Sequence, residues 1–540
     1  MHQDAYSALE STTTHVSKLS EKARIFSSAN GLIRLEIEAQ VLEKIADLES
    51  VKAIELLQPL AQGNDRMRAI VNVDKMNVER LMLPPLTGKG QTVAVTDTGI
   101  DISHPAFTGR IKGTKVLDRK AGSITDYIGH GTHIAATMMG GDIAGYLPRG
   151  AAPQAEVVVQ SLLGQKPMVP EAPETDPTTM ALGPYTEYNA KIHNFSFWTG
   201  MDPQNPVHLP YSQHDAFKMD EVVYKHPDLL LVFIAGNDGN IPIMNRHIGG
   251  KAAARNVLTV GASTSDRPVA QASDGWDKVV AQGGISRDPN GVASFSSKGP
   301  TFEGLLKPDL VAPGTAILSA RSKDIPPELV KGYEDKYGTS KETKGGKSMF
   351  ADGTSCSAPA VSGCAALLRE ALSDPVFGLS PTQITSAILK GLLINGAVDI
   401  SQNQSGPNVE QGFGRVDMQR TMRPLEKRSA PFNFEQGVAT SKDIKAPKVI
   451  KLTAPSSPGK TFSFKATLVY IDTPGIILNQ DIGLKAVSLT AGSADDSLSP
   501  NTVRQVRLNR VPAKDGIEVT LTFDEVTEDT HWALVWDFVG

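Results

Sequence analysis

Between residues 88 and 420, short apolar runs alternate with helical stretches, and no other feature of the chain constrains its fold as tightly. "QTVAVTDTG" (91–99), "AEVVVQSLL" (155–163), "DLLLVFIAGN" (228–237) and "NVLTVGAS" (256–263) are short for helices, and most close on Gly, Asp or Asn. Runs that are apolar throughout, rather than at every second residue, fit strands of a parallel sheet buried on both faces. Open α/β sheets place ligands beyond the C-terminal ends of their strands, so the polar residues there are the first candidates for chemistry. The strongest helical segment is "TSCSAPAVSGCAALLREAL" (354–372). Its Cys356, Ala360, Gly363 and Cys364 fall near one face, small enough for close packing on a sheet.

The flanks have a different texture, and 540 residues are too many for a single core. Residues 1–63 read as a small α+β unit: a helix in "AYSALESTTTHVSKLSEKARIF", a strand in "GLIRLEIEA", an amphipathic helix in "QVLEKIADLES" and a second strand in "VKAIELL". The pattern breaks at Pro59, Gly63 and Asn64. After "GFGRVDMQRTM" (412–422) no convincing helix follows residue 430. "TFSFKATLVYID", "VRQVRL", "IEVTLTFDE" and "WALVWDFV" read as strands, so 431–540 is expected to be an all-β module, most simply a sandwich. The expected division is therefore 1–63, 64–430 and 431–540.

Three residues at strand or helix ends hold reactive groups. Asp97 ends a buried strand in "VAVTDTGID", His130 sits among glycines in "GHGTHIAAT", and Ser355 begins the long helix in "GTSCSAPA". A buried carboxylate can hold an imidazole in one tautomer, and the imidazole can take the proton of a serine hydroxyl. Asn237, ending another strand in "FIAGNDGN", offers an amide N–H to an oxyanion beside the Ser355 backbone N–H. Cys356 follows Ser355 by one helical position, which turns its side chain about 100° away from any base that serves Ser355. His130 and His133 lack the HExxH pattern or paired acids of a zinc site, and His133 reads as a packing residue. Cys356 and Cys364 lie eight helical residues apart, too far for a disulfide, and read as free thiols.

The order Asp, His, Ser differs from that of chymotrypsin and of the α/β-hydrolases. With "AVTDTGID", "GHGTHIAAT", "FIAGNDG", "FSSKGP…KPDLVAPGT" and "GTSCSAPAVSG", the chain resembles the subtilisin-like serine proteases across about 88–420. The nearer likeness is to alkaline subtilases that carry a C-terminal β-sandwich, through "GAAPQAEVVVQSLL", "KAAARNVLTVGAS", "APGTAILSARS" and "QGFGRVD". The resemblance implies a three-layer α/β fold with a mostly parallel sheet, and a serine endopeptidase with catalytic Asp97, His130 and Ser355 and oxyanion donor Asn237. It further implies that residues 1–63 are a pro-region that assists folding, inhibits the enzyme and is removed near Gly63–Asn64. No cofactor is required for the chemistry. Structural calcium is common in such proteins, but "DTPGIILNQDIGL" (472–484) has few carboxylates and no metal ligands are assigned.

Two segments depart from the family. The substrate-binding strand, usually Ser-x-Gly or Asn-Ser-Trp-Gly, here reads "HNFSFWTG" (193–200). Ser196, Phe197 and Trp198 are the candidate substrate-binding residues, and Trp198 in the pocket would make it shallow and selective for small side chains. The opposing segment, usually glycine-rich, becomes "SLLGQKPMVPEAPETDPTTMALGP" (161–184), with Glu171, Glu174 and Asp176 among prolines that cannot donate to a strand. Restricted access of this kind suits selective cleavage of one partner.

Composition limits the alternatives. The net charge is −5, which gives no basic footprint for nucleic acid, and no apolar run is long enough to span a membrane. The polar start "MHQDAYSALESTTTHVSKLSEK" lacks the apolar core of a signal peptide, so the chain as given is expected to be cytoplasmic, or secreted if a signal was removed. The expected partners are a polypeptide substrate and the chain's own N-terminal segment. A subtilase scaffold acting as an occluded regulatory module, or an esterase or acyl transferase using the same triad, are the rival functions.

Overall fold

The computed structural model describes residues 11–51, 66–79, 84–117, 123–141, 149–162, 176–197, 215–240, 248–266, 288–337, 345–401, 406–426, 432–495 and 501–539, apart from short breaks at 17, 20–23, 30–31, 458 and 476. The chain divides into two compact units, one of residues 1–61 with 74–86 and one of residues 62–73 with 87–540.

In the first unit, β1 (Arg24–Ala29) pairs antiparallel with β2 (Leu32–Glu36), and Val16, Val41 and Ile45 form a small core under a short helix at Leu42–Ala46. The helix expected to run to Phe26 ends earlier: from Arg24 onward the backbone bonds to β2 instead. Apart from Val51, the strand expected in "VKAIELL" and the processing point at Gly63–Asn64 lie outside the described residues.

The second unit is built on a seven-stranded parallel sheet ordered β4-β5-β3-β6-β7-β8-β9. Its strands are β3 (Thr92–Asp97), β4 (Ile111–Val116), β5 (Glu156–Ser161), β6 (Ile192–Phe195), β7 (Leu230–Ile234), β8 (Leu258–Ser263) and β9 (Leu310–Pro313). β3, β7 and β8 are buried along their whole length, as continuous Val, Leu and Ile runs require. Five helices matter below: α1 (His130–Met139), α2 (Pro177–Tyr188), α3 (Ala216–Lys225), α4 (Thr354–Leu372) and α5 (Ser386–Gly396). α4 lies across β6, β7, β8 and β9 and also against α1. A Cβ on its Gly363 would stand 2.5 Å from Ala151 Cβ and 2.7 Å from Met138 O, so only glycine permits that approach. A two-stranded ribbon, β10 (Ile317–Ala320) against β11 (Ser348–Ala351), delivers the chain to the start of α4.

The C-terminal region forms two four-stranded antiparallel sheets. The first is β12 (Phe434–Ala439), β19 (Thr530–Val539), β14 (Thr461–Tyr470) and β17 (Val503–Pro512) in that order. The second is β13 (Lys448–Thr453), β18 (Gly516–Glu525), β15 (Asp481–Ser488) and β16 (Gly492–Asp495). Phe464, Leu468, Val506 and Leu534 from the first share one core with Ile482, Leu484, Val519 and Leu521 from the second. The junction with the parallel-sheet part combines packing of α5 on β14 and β19 with polar contacts. Asn256 clamps the backbone of Asp472, accepting from its N–H (2.9 Å) and donating to its C=O (2.8 Å). Asp220 of α3 accepts in turn from the Asn256 N–H at 2.8 Å. Lys465 of β14 donates to Ala397 O at the C-terminal end of α5, although burial and Arg507 push its ammonium pKa down to about 7.

The segment 161–184, read from its prolines as an extended loop, ends in a helix: α2 starts at Pro177, and Asp176 caps it by accepting from Thr179 N. Proline at the first helical position removes a donor the helix does not use. Glu171 and Glu174 lie outside the described residues. No described helix is long and apolar enough to cross a membrane.

Below β8 and β9 lies a buried ionic cluster. Asp309 accepts from Lys307 Nζ (2.6 Å), Lys390 Nζ (2.9 Å) and Thr259 N (2.7 Å), and Lys390 also donates to Val257 O (2.9 Å). Removing one partner of such a group leaves an uncompensated charge in a dry site. Asp309→Asn, which leaves Lys307 and Lys390 without their shared carboxylate, is therefore expected to cost about 3–5 kcal/mol in urea unfolding. An unchanged unfolding midpoint would show that the cluster is not a structural anchor.

Candidate active site

The C-terminal end of β3 meets the N-terminal end of α1, and the loop after β7 meets the N-terminal end of α4. Asp97 is the last residue of β3 and almost fully buried. His130 is the first residue of α1, behind Gly129, which has φ 83° and serves as N-cap without a capping side chain. The two loops meet closely: a Cβ on Gly131 would run into Gly99 O. His130 Nδ1 consequently donates to Asp97 Oδ1 at 2.7 Å, and Thr98 N donates to the same oxygen at 2.7 Å. With Nδ1 committed as donor, the neutral ring carries its lone pair on Nε2. The ring is not sealed off, since 30% of its side-chain surface remains exposed.

Burial opposes a charge on His130, but the Asp97 carboxylate, its hydrogen bond and the more distant Asp126 outweigh it and raise the imidazole pKa above its ordinary value. His133, one turn along α1, lacks that support. Burial pushes it down to about 4, so it is a neutral core residue held to Ile317 O at 3.0 Å.

Ser355 is the second residue of α4, and its oxygen stands over Gly353. A Cβ on Gly353 (φ 143°) would lie 2.7 Å from Ser355 Oγ and 3.5 Å from Asn237 Nδ2. Serine hydroxyl and asparagine amide thus flank one small open space. The orientation of Asn237 follows from its partners: Thr354 N and Thr354 Oγ1 both donate to its Oδ1 at 2.9 Å. A backbone N–H can only donate, so the carbonyl faces Thr354 and the NH2 group turns toward Ser355. No hydrogen bond joins Ser355 Oγ to the His130 ring in this structure, a looseness common in unliganded sites. Cys356 and Cys364 are buried and unbridged, and burial pushes the Cys364 thiol up to about 12.

Of the expected substrate-binding residues, Ser196 is buried and donates to Ser355 O at 3.1 Å, while Asn194 links Ser196 (2.8 Å) to Ser362 of α4 (3.0 Å). The segment after β6 is thereby tied to the helix that carries Ser355. Asn194 also opens the sequence "NFS", and its full burial removes it as a glycosylation acceptor. Phe197 sets its edge against Phe195, centroids 6.0 Å apart, and Phe195 stacks on Phe233 at 4.5 Å. Trp198 lies outside the described residues. Asp472, in the segment compared with calcium-binding stretches, accepts from Asn479 N (3.2 Å) and Gln480 N (3.0 Å). No group of three potential metal-ligating side chains occurs among the described residues.

The structure adds residues that sequence reading passed over. Asp126, Thr98 and Thr132 form a buried network behind His130, and Thr354 orients Asn237. The one available signal was the acid four residues before His130, in "DYIGH".

On a parallel α/β sheet, an acid, a histidine and a serine in that chain order define a scaffold of the subtilisin-type serine peptidases. The family profile described as the subtilase family matches residues 88–414, more than half of the chain, and the chain belongs to that family. Serine protease AprX of Bacillus subtilis is 30% identical over 62% of this chain and 67% of its own length. The major intracellular serine protease of the same organism is 28% identical over 52% of this chain and 69% of its own. Serine protease/ABC transporter B family protein tagD of Dictyostelium discoideum is 28% identical over 65% of this chain, but the match spans only 23% of that protein. A solved serine protease of Aeromonas sobria is a remote structural match, with TM-score 0.46 and 15% identity over 84% of this chain and 89% of that one.

A carboxylate beside an imidazole favours the charged ring, so the His130 resonances are expected to titrate above the ordinary value of about 6.5. Asp97→Asn should bring that midpoint down, with the pair stabilising the fold below about pH 6.5 and ceasing to do so as pH rises through the folded-state midpoint. An unmoved midpoint in the variant would overturn this electrostatic account.

Proposed function

We propose that this chain is a serine endopeptidase acting through an acyl-enzyme on Ser355. The observation that carries the proposal is the 2.7 Å bond from His130 Nδ1 to Asp97, which leaves Nε2 as the base. Ser355 Oγ attacks the peptide carbonyl carbon and its proton passes to His130 Nε2. Asp97 stabilises the imidazolium that forms, and the carbonyl oxygen becomes an oxyanion. Asn237 Nδ2 and the Ser355 N–H donate to it, and both lie where no described group competes for them. His130 then gives its proton to the leaving amine, and water, activated by the same ring, releases the acid from Ser355.

Substrate would lie as an added strand beside the segment that follows β6, whose Ser196 is already bonded to the Ser355 backbone. With Ser196 matched to the serine of Ser-x-Gly, Trp198 takes the glycine position and would restrict the side chain before the scissile bond to small ones; with Trp198 as the anchor, the glycine moves to Gly200. Residues 1–63 are proposed as the pro-region, removed near Gly63–Asn64. In support, residues 1–61 fall, with residues 74–86, in a compact unit separate from the one that holds the parallel sheet.

A fluorophosphonate probe is expected to label the wild-type protein and not Ser355→Ala. Absence of wild-type labelling, even after limited proteolysis, would favour a binding module over an enzyme. Asn237→Ala should lower kcat about 10²–10³-fold with KM little changed. Cleavage of a peptide library should show small residues before the cut, and a dominant large residue there would refute the role given to Trp198. A full-length mass persisting in active enzyme would refute removal of the N-terminal segment.

A further inference from the structure

Asp126 is fully buried and takes no part in the steps above, yet it is the most heavily hydrogen-bonded carboxylate at the site. Its Oδ1 accepts from Thr98 Oγ1 (2.8 Å) and Gly129 N (2.8 Å). Its Oδ2 accepts from Thr132 N (2.7 Å) and Thr132 Oγ1 (2.7 Å). The direction of both hydroxyls is dictated from behind. Gly131 N donates to Thr98 Oγ1 at 2.8 Å and Asp101 N to Thr132 Oγ1 at 3.0 Å, so each hydroxyl proton is free to point at Asp126. Four donors meet two oxygens, an environment that suits a carboxylate and offers no acceptor to a carboxylic acid.

These bonds reach the residue after Asp97 and the chain on both sides of His130. Thr98 follows Asp97, Gly129 precedes His130, and Thr132 completes the first turn of α1. Gly129 has no side chain to cap α1, and Asp126 does that work by taking the Thr132 N–H. One buried negative charge therefore fixes the spacing between the acid-bearing and histidine-bearing loops, and it sits at the positive end of the helix that begins with His130.

We infer that Asp126 is a positioning residue for this chain's reaction: it holds His130 against Asp97 through Thr98, Gly129 and Thr132, and supplies a second negative charge behind the imidazolium formed during turnover. This inference rests on the reading of His130 as the general base. It predicts that the acid side of the pH–rate profile depends on a residue that never touches substrate. Burial raises the Asp126 pKa, partly countered by the Thr132 and Thr98 bonds, and Asp126 in turn lifts that of His130. Other titratable groups on the surrounding elements do not share this place. His133 is neutral, Asp101 faces Lys323 at 3.6 Å, and Glu156 lies at the opposite end of β5. On α4, Cys356 and Cys364 are buried thiols, while Arg369 and Glu370 lie in its last turn.

Asp126→Asn keeps the shape, removes the charge and turns an NH2 group against two of the four donors. Activity is read per site titrated by the fluorophosphonate probe, which removes unfolded protein from the comparison. The expected result is a fall in kcat of about 10²-fold with KM little changed. The acid-limb midpoint of kcat/KM and the His130 NMR midpoint should both move to lower pH. A variant with reduced melting temperature but unchanged kcat per site and unchanged midpoints would show that Asp126 is merely structural and overturn the inference. If Asp126→Asn does not fold, Thr98→Val and Thr98→Ser decide. The valine is expected to lower kcat about tenfold or more and the serine, which restores the hydroxyl, to recover it; equal rates in both overturn the inference. A wild-type protein that the probe does not label removes the general-base reading and the inference with it, whereas labelled wild type with an indifferent Asp126→Asn removes the inference alone.

Discussion

The close contact between α4 and the parallel sheet is the constraint on which the site depends. α4 is buried on almost every side, which is unusual for a helix of a soluble protein and is met by a sequence of Ala, Gly, Ser and Cys. Because those side chains are small, the helix reaches β6, β7, β8 and β9 at once and lies against α1. Ser355 is thereby tied to Ser196 after β6 and set beside Asn237 after β7, and α1, which begins with His130, packs on the same helix. A larger residue at Gly363 would drive α4 away from Ala151 and the α1 backbone, and the nucleophile would move with it.

The polar groups at the site are arranged in two layers with different physics. His130, Ser355 and Asn237 each keep a donor or acceptor uncommitted among the described residues, as does Asp97, whose Oδ2 is buried without a partner. Behind them, Asp126, Thr98 and Thr132 are committed to one another or to backbone amides, and Thr354 is committed to Asn237. The inner layer supplies rigidity, and the outer layer supplies unsatisfied valence. Burying a carboxylate such as Asp126 is costly unless its lone pairs are filled, and the four donors around it meet that cost.

Legibility in the sequence follows the same division. Asp97, Asn237 and Ser355 could be found because each stands where a strongly patterned strand ends or helix begins, and the pattern itself marks those positions. Asp126 could not, because its bonds depend on the direction of the Gly129 and Thr132 amides, which only the folded loop defines. β4 and β13 escaped notice for a related reason: both are half-exposed strands with lysines among their residues, so neither has a continuous apolar run. α2 was hidden by Pro184 and Gly183, which read as loop signals although the helix accommodates both. Phe197 was read as pocket lining, whereas its ring also extends the aromatic stack of Phe195 and Phe233.

A helix shared among four strands and a second helix has no part that can loosen by itself. The N-terminal turn of α4 carries Ser355, and the rest of the same helix fills the centre of the fold, so partial opening at the site would need the core to open as well. Regions that unfold locally are those with few buried contacts, and α4 is at the opposite extreme. On the proposed reading as a peptidase, this bears on survival among its own copies. A molecule that still cuts is one whose centre is closed, and a molecule whose centre has opened can be cut but cannot itself attack its neighbours.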